Sequence, residues 1–297
     1  MLKIFTFCSF TIITLLTGAA CVYMQTANAV SNRNADGQNK SENQKRNDMK
    51  DIFKINETLE KSFPVSGKTV VKIYSFEGEI TVRAANTQNV TMKATKMAVD
   101  KDAAEGIRLD VSDRNGTIDL KADYVKPDRK IAYGKDYFYS KGAYVNWEIG
   151  LPAETDLILE TGEGQIAVQG VSGEIKLTTK DGGISVKDCA GNLASTTYDG
   201  KVQITNYRGS ADVTNHGDEP VLVEGDLQNL SVESGGGKIF LGFPRTSGGV
   251  VTADEATLSS KDFVLKKDGE RYIFGTGNSN ITIRANTGRV SIYSINN

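Results

Sequence analysis

Apolar residues in the middle of this chain come in pairs two positions apart, and the pairs recur every nine residues. Ile166 and Val168, Ile184 and Val186, Val202 and Ile204, Val221 and Val223, and Ile239 and Leu241 make one series, and Leu157, Ile175, Leu193, Ala211 and Leu230 start the members of another. Alternation at a period of two is the signature of a strand with one face turned inward. Glycine punctuates the strands at Gly164, Gly173, Gly182, Gly191, Gly200 and Gly209. At an average glycine frequency of about 7%, six hits at a fixed spacing arise by chance about once in ten million starts, so the comb predicts a turn before each short strand.

Nine-residue strands could form an antiparallel meander, but the two series alternate, and so do their turns. One set of turns carries Asp181-Gly182, Asp199-Gly200 and Gly217-Asp218, and the other runs from Asp188 to Gly191 and from Asn206 to Gly209. A true period of eighteen predicts an all-β, single-chain parallel β-solenoid of about 18 residues per coil, in which every second strand stacks on the same edge. Stacked rungs put like residues into ladders, and Thr161, Thr179, Thr197, Asn215 and Ser234 form a polar one suited to bonding each other and the turn backbone. An extra residue between Thr214 and Pro220 predicts a bulged turn. Fainter pairs early (Val71/Ile73, Ile80/Val82, Val90/Met92) and late (Phe263/Leu265, Tyr272/Phe274, Ile281/Ile283, Val290/Ile292) extend the pattern, so residues 52–297 read as one repeat domain.

One segment breaks the comb. Between Tyr124 and Trp147 the glycine spacing vanishes, and Tyr133, Tyr137, Phe138, Tyr139, Tyr144 and the sole Trp147 crowd in beside Lys126, Arg129, Lys130, Lys135 and Lys141. The alternation of Tyr137-Phe138-Tyr139 and of Val145 to Ile149 predicts a hairpin lying across the coils. Either the rings cap the apolar ends of the stack, or they stand exposed and bind a glycan or peptide by stacking and hydrogen bonding. Those six aromatic residues are the candidate ligand-binding set.

The amino terminus has a different character. Lys3, an apolar stretch from Ile4 to Leu16 and the small-residue site Ala27-Asn28-Ala29 predict a secretory signal over residues 1–29. A lipidated Cys21 is the weaker reading, because Gly18-Ala19-Ala20 precedes it with no leucine three positions upstream. Residues 30–51, polar and asparagine-rich, predict a disordered linker. No later stretch approaches the roughly 20 apolar residues of a membrane span, so the mature chain is expected to lack one. Removal of Cys8 and Cys21 would leave Cys189 with no internal disulfide partner.

Candidate chemistry is sparse. The single histidine, His216, falls in a turn, and without a second histidine or a mature cysteine pair neither zinc nor Cys-His chemistry has its ligands. No phosphate loop occurs. A net charge of −2 argues against a nucleic-acid partner. Glu163, Asp181, Asp199 and Asp218 fall in register along one turn edge, which predicts Asp-Gly turn chemistry, with calcium between rungs as the alternative. No convergent pair of acids marks a glycosidase groove, so no enzyme activity, cofactor or metal is expected.

The run from Phe63 to Gly67, then Gly78-Glu-Ile-Thr-Val82, Asn89 to Lys93, Trp147 to Pro152 and the glycine comb, closing on Gly277 to Ile281 and Gly288 to Ile292, resembles the bacterial putative-adhesin domain family of β-helical G-x-I-x-V repeats. The resemblance covers about residues 52–297 and implies a β-helix and an exported location, periplasmic, cell-surface or secreted. It brings no catalytic or ligand residues to transfer. The resulting expectation is a non-catalytic binding or scaffolding module of the cell envelope, partnered by a glycan or an envelope protein. A polysaccharide-active β-helix enzyme and a purely structural envelope protein are the alternatives.

Overall fold

The computed structural model describes residues 52–133, 136–254, 257–285 and 288–295. The expected signal and linker segments lie outside the described residues. The chain begins with β1 (Ile55–Pro64), β2 (Thr69–Glu77), β3 (Ile80–Ala84) and β4 (Asn89–Ala98), followed by a short helix α1 (Lys101–Glu105). Next come β5 (Ile107–Arg114), β6 (Thr117–Tyr124), β7 (Arg129–Tyr133), β8 (Asp136–Ser140) and β9 (Ala143–Leu151). The glycine comb spans β10 (Thr155–Glu163), β11 (Ile166–Gln169), β12 (Ser172–Asp181), β13 (Ile184–Lys187), β14 (Ala190–Asp199) and β15 (Val202–Asn215). The remainder is β16 (Val221–Ser234), β17 (Ile239–Pro244), β18 (Gly249–Asp254), β19 (Thr257–Ser260), β20 (Lys266–Asp268), β21 (Arg271–Phe274), β22 (Ser279–Ala285) and β23 (Arg289–Ile295).

The fold is all-β, and its strands pair mainly in parallel. In the comb each strand pairs with the strand 18 residues on: Leu157 with Ile175 and Ile175 with Leu193 in one ladder, Ile166 with Ile184 and Ile184 with Val202 in the other. Val202 then pairs with Val221, and Ala211 with Leu230. These residues are buried and belong to one continuous apolar core. The long strands β15 and β16 run from one ladder into the other, so 21 strands join in a single sheet that bends round the core and nearly closes on itself like a barrel.

Glycine is required by the stacking as well as by the turn. Gly182 and Gly200 adopt φ of +145° and +150°, and a Cβ on either would collide with the backbone carbonyl of the glycine one coil earlier, Gly164 or Gly182. The polar ladder serves the same corner. Thr179, Thr197 and Asn215 are buried, and each donates to the carbonyl oxygen of Gly164, Gly182 or Gly200 at 3.0–3.1 Å. Their printed partners are turn carbonyls, which satisfies acceptors that would otherwise be buried unpaired.

Register slips where the sequence carries its extra residue, though not in the turn alone. The offset between β15 and β16 is 19 at Val202–Val221, 18 at Tyr207–Gly225 and 19 again at Ser210–Asn229. The strand drops a residue at the corner beside buried Tyr207 and regains it after Leu227.

At both ends chain order and spatial order part. The late pairs Ile281/Ile283 and Val290/Ile292 do stack, but directly on β16 and β17, with β18 and β19 lying beyond them. Tyr272 and Phe274 instead sit in β21, antiparallel to β18, and Phe263 and Leu265 lie outside any strand. At the other end β2 and β3 lie between β10/β11 on one side and β6/β9 on the other. Val90/Met92 belong to β4, which runs antiparallel to β9 and β1. Helix α1 is capped by Asp100, whose carboxylate accepts from the Ala103 amide, and it buries Ala103 and Ala104. Phe243, Phe274 and Phe263 pack ring on ring, with centroids 5.3 and 4.9 Å apart.

Candidate functional site

The aromatic segment divides into two parts with different fates. β7 and β8 form their own two-stranded antiparallel sheet, pairing Lys130 with Tyr139, Ile131 with Phe138 and Ala132 with Tyr137. Directly paired residues share a face. Ile131 turns inward and is buried, whereas Tyr137 and Tyr139 lie on the opposite face, 59% and 70% exposed. The Lys130 ammonium stands 3.4 Å from the centroid of the Tyr137 ring. Two exposed phenol rings and a cation therefore share one side of a hairpin that the main sheet does not include.

Charge holds this hairpin in place. Arg129 grips Asp100 through both guanidinium nitrogens at 2.8 Å, and Lys126 reaches Asp102 at 2.8 Å. The Asp100 carboxyl is held below its usual range, first by the Ala103 amide that it caps and then by Arg129, both of which outweigh its partial desolvation. On the far side, the Lys141 ammonium meets the buried carboxylate of Glu77 at 2.8 Å, with Asp128 at 3.9 Å, and Tyr124 donates its hydroxyl to the Lys141 carbonyl at 2.8 Å.

Glu77 heads a column of carboxylates that continues through Glu163, Asp181 and Asp199, paired rung by rung. Burial pushes the Glu77 carboxyl up to about 7, against the pull of Lys141. Burial raises Glu163 and Asp181 as well, and in each the next acid of the column adds to the shift. Asp218 belongs to no strand. Among the described residues no group of three or more His, Cys, Asp or Glu side chains is placed to hold a metal ion. Glu79, next to the column, is pushed up to about 7 by burial alone.

The predicted ligand-binding set is divided by these positions. Tyr144 and Trp147 are buried, at 2% and 1% exposure, and cannot join Tyr137 and Tyr139 on an open platform. They belong to β9, which is part of the main sheet, so Val145 to Ile149 is no arm of a hairpin across the coils. Trp147 stacks over Ile80 in the ladder column and donates its indole N–H to Ser75 at 3.3 Å; Tyr144 meets the Phe53 ring edge-on at 4.9 Å. The physical reason is register: Tyr144 and Trp147 lie in a strand whose inward positions must be filled with large apolar surface. Tyr133 and Phe138 fall in β7 and β8, but their side chains lie outside the described residues, as does Lys135.

Cys189 is buried, with burial pushing its thiol up. His216 is exposed in its turn, and its ring lies 4.6 Å from that of exposed Tyr198. Sequence reading missed this pair, and also the row Glu174, Asn192, Ser210 and Asn229. The signal for that row was present, since Glu174, Asn192 and Ser210 each directly follow a comb glycine.

Among the described residues no helix is long and apolar enough to cross a membrane. No protein-family model matches the chain, and no curated protein matches it. Solved structures do. A putative cell adhesion protein from Clostridium sporogenes is 13% identical, with 80% of this chain and 100% of that one covered at a TM-score of 0.33. A putative adhesin from Bacteroides fragilis is 10% identical, covering 80% and 97% at 0.42, and another from Parabacteroides distasonis is 11% identical, covering 80% and 97% at 0.32. At such scores these likenesses say nothing of what this chain binds. The structural neighbours are described as adhesins, not enzymes, and theirs is the family name that the glycine comb and its flanking motifs resemble.

Proposed function

We propose that this chain is an exported, non-catalytic binding module of the cell envelope, built as a parallel β-solenoid and meeting its ligand at the Tyr137–Tyr139 hairpin. The solenoid reading is supported by the constant offset of 18 residues between paired strands of both ladders. The observation that carries the binding reading is the pair of exposed phenol rings beside Lys130 on a hairpin whose other face is anchored. A protein has little reason to leave large rings in water unless something covers them, and a ring flanked by a cation suits the C–H face and hydroxyls of a sugar or the side chains of a peptide. Export is supported by the sequence of residues 1–29. The test is a glycan array and an envelope-protein pull-down with the native chain and with the Tyr137→Ala/Tyr139→Ala variant. Binding lost in the variant at an unchanged Tm is the expected result. Equal binding by both proteins would remove the site, and turnover of a bound glycan would remove the word non-catalytic. An amino terminus other than Val30 on the mature native protein would revise the export route, with a diacylated Cys21 making residues 30–51 a membrane tether.

A further inference from the structure

On the outer face of the first ladder a shallow groove of about 380 Å³ crosses four strands, far in sequence from the aromatic hairpin. Its wall is a row of Asn192, Ser210, Asn229 and Asn280, one residue each from β14, β15, β16 and β22, held in register by the parallel pairing. The row is tied together laterally. Asn280 donates its amide to Asn229 at 3.3 Å, Asn229 donates to Ser210 at 3.2 Å, and Asn192 donates to Glu174 at 2.7 Å. A primary amide has two N–H donors and a carbonyl with two lone pairs, so each lateral bond leaves a donor and acceptor capacity free. The lateral bonds also fix the side chains that carry them, so little rotamer freedom remains to be lost on binding.

We infer that this groove binds a linear, neutral, hydroxyl-rich polymer, a polysaccharide lying along the stack with about one sugar per rung. Successive rungs are about 4.8 Å apart, which is the order of one pyranose unit along a chain. Amide groups that can donate and accept at once are complementary to hydroxyls, which do the same. Other occupants fit less well. A peptide strand needs a free sheet edge, and every strand under this groove is already paired on both sides. A polyanion would meet the Asp212 carboxylate in the groove lining and no Lys or Arg there.

The experiment uses the full chain and soluble neutral glucan hexasaccharides, β1→4 and α1→4 linked, with an oligogalacturonate hexamer as the anionic probe. Titration by NMR is expected to move the amides of Asn192, Ser210, Asn229 and Asn280 with at least one neutral glucan. The exposed double substitution Asn229→Ala/Asn280→Ala is expected to weaken that binding about tenfold or more at unchanged Tm. Tyr137→Ala/Tyr139→Ala should leave it as it was, which separates this groove from the hairpin. Absence of any shift with both glucans, shifts that map elsewhere, tighter binding of the anionic probe, or undiminished binding by the asparagine variant would each overturn the inference.

Discussion

The comb region and the two ends of this molecule use the same strand chemistry and assemble it differently. From Thr155 to Ser234 each strand stacks on the one a coil earlier, and spatial order follows chain order. At each end the arrangement folds back. β22 and β23 slide in between β16/β17 and β18/β19, and β2 and β3 sit between β10/β11 and β6/β9. A regular stack leaves a raw apolar cross-section and an open strand edge at each terminus, a liability for association. Here the outermost layers are antiparallel hairpins, β5–β6 and β20–β21, with α1 and the phenylalanine cluster beside them. Regularity builds the core and irregularity closes it.

The sharpest way to break that comparison is a charge in each region. Val202→Asp places a carboxylate in the fully buried column between Ile184 and Val221 and should cost about 4 kcal/mol or more, leaving the chain unfolded or far less stable by thermal or urea melting. Leu258→Asp, in the half-buried terminal strand β19, should cost far less. Comparable losses at both sites would show that the ends are as tightly packed as the middle.

Glycine substitution asks the same question of the backbone. Gly182→Ala forces a side chain into φ +145° and against the Gly164 carbonyl, for an expected loss of about 3 kcal/mol. Gly67→Ala, at φ +79° with nothing within 4 Å of the new Cβ, carries only the conformational cost of about 1–2 kcal/mol. A Gly182→Ala protein that melts with or above the Gly67→Ala protein would mean that the coils can spread without penalty.

A smaller effect distinguishes the two raised carboxyls at the boundary of these regions. Glu79 is near 7 when folded, against about 4.5 when free, so between those values the folded state holds more protons than the unfolded one. Its contribution to stability is therefore present at low pH and lost as pH rises toward 7. Glu79→Gln should flatten that slope and raise Tm at pH 8 by about 2–4 °C, on the order of 1 kcal/mol, with no gain at pH 4. Glu77→Gln strips Lys141 of its 2.8 Å partner and should lower Tm at pH 8 instead. Parallel gains in the two variants would show that the Glu77–Lys141 pair contributes nothing to holding the hairpin.

The smallest expected effect is on the hairpin itself. Tyr137→Ala and Tyr139→Ala remove exposed rings and should each change stability by no more than about 0.5 kcal/mol, whereas Trp147→Ala, from the same stretch of sequence, should cost about 3–5 kcal/mol. Differential scanning calorimetry of the three variants decides it, and a large loss at Tyr137 or Tyr139 would return the rings to the role of a cap.

Much of this was legible in advance. The columns Ile184–Val202–Val221 and Ile175–Leu193–Ala211–Leu230, the glycine comb and the Thr179–Thr197–Asn215 ladder follow from spacing alone, because stacking like on like at a fixed period writes itself directly into sequence. The candidate site was legible only by composition. Tyr137 and Trp147 look alike as ring-bearing residues ten positions apart, and nothing local says that one strand will leave the sheet while the next rejoins it.

Sequence by itself determined which residues face inward and how far apart paired strands lie, since both depend on local alternation and on a repeat that only glycine can turn. Tertiary structure decided which rung lies next to which at the ends, that Glu77 rather than Asp218 joins the carboxylate column, that Trp147 is core, and that Asn280 completes a row begun at Asn192. A period-two strand will pair with any strand of matching face and twist, so neighbours at the ends are chosen by what must be covered there, and that demand exists only once the rest of the stack has formed.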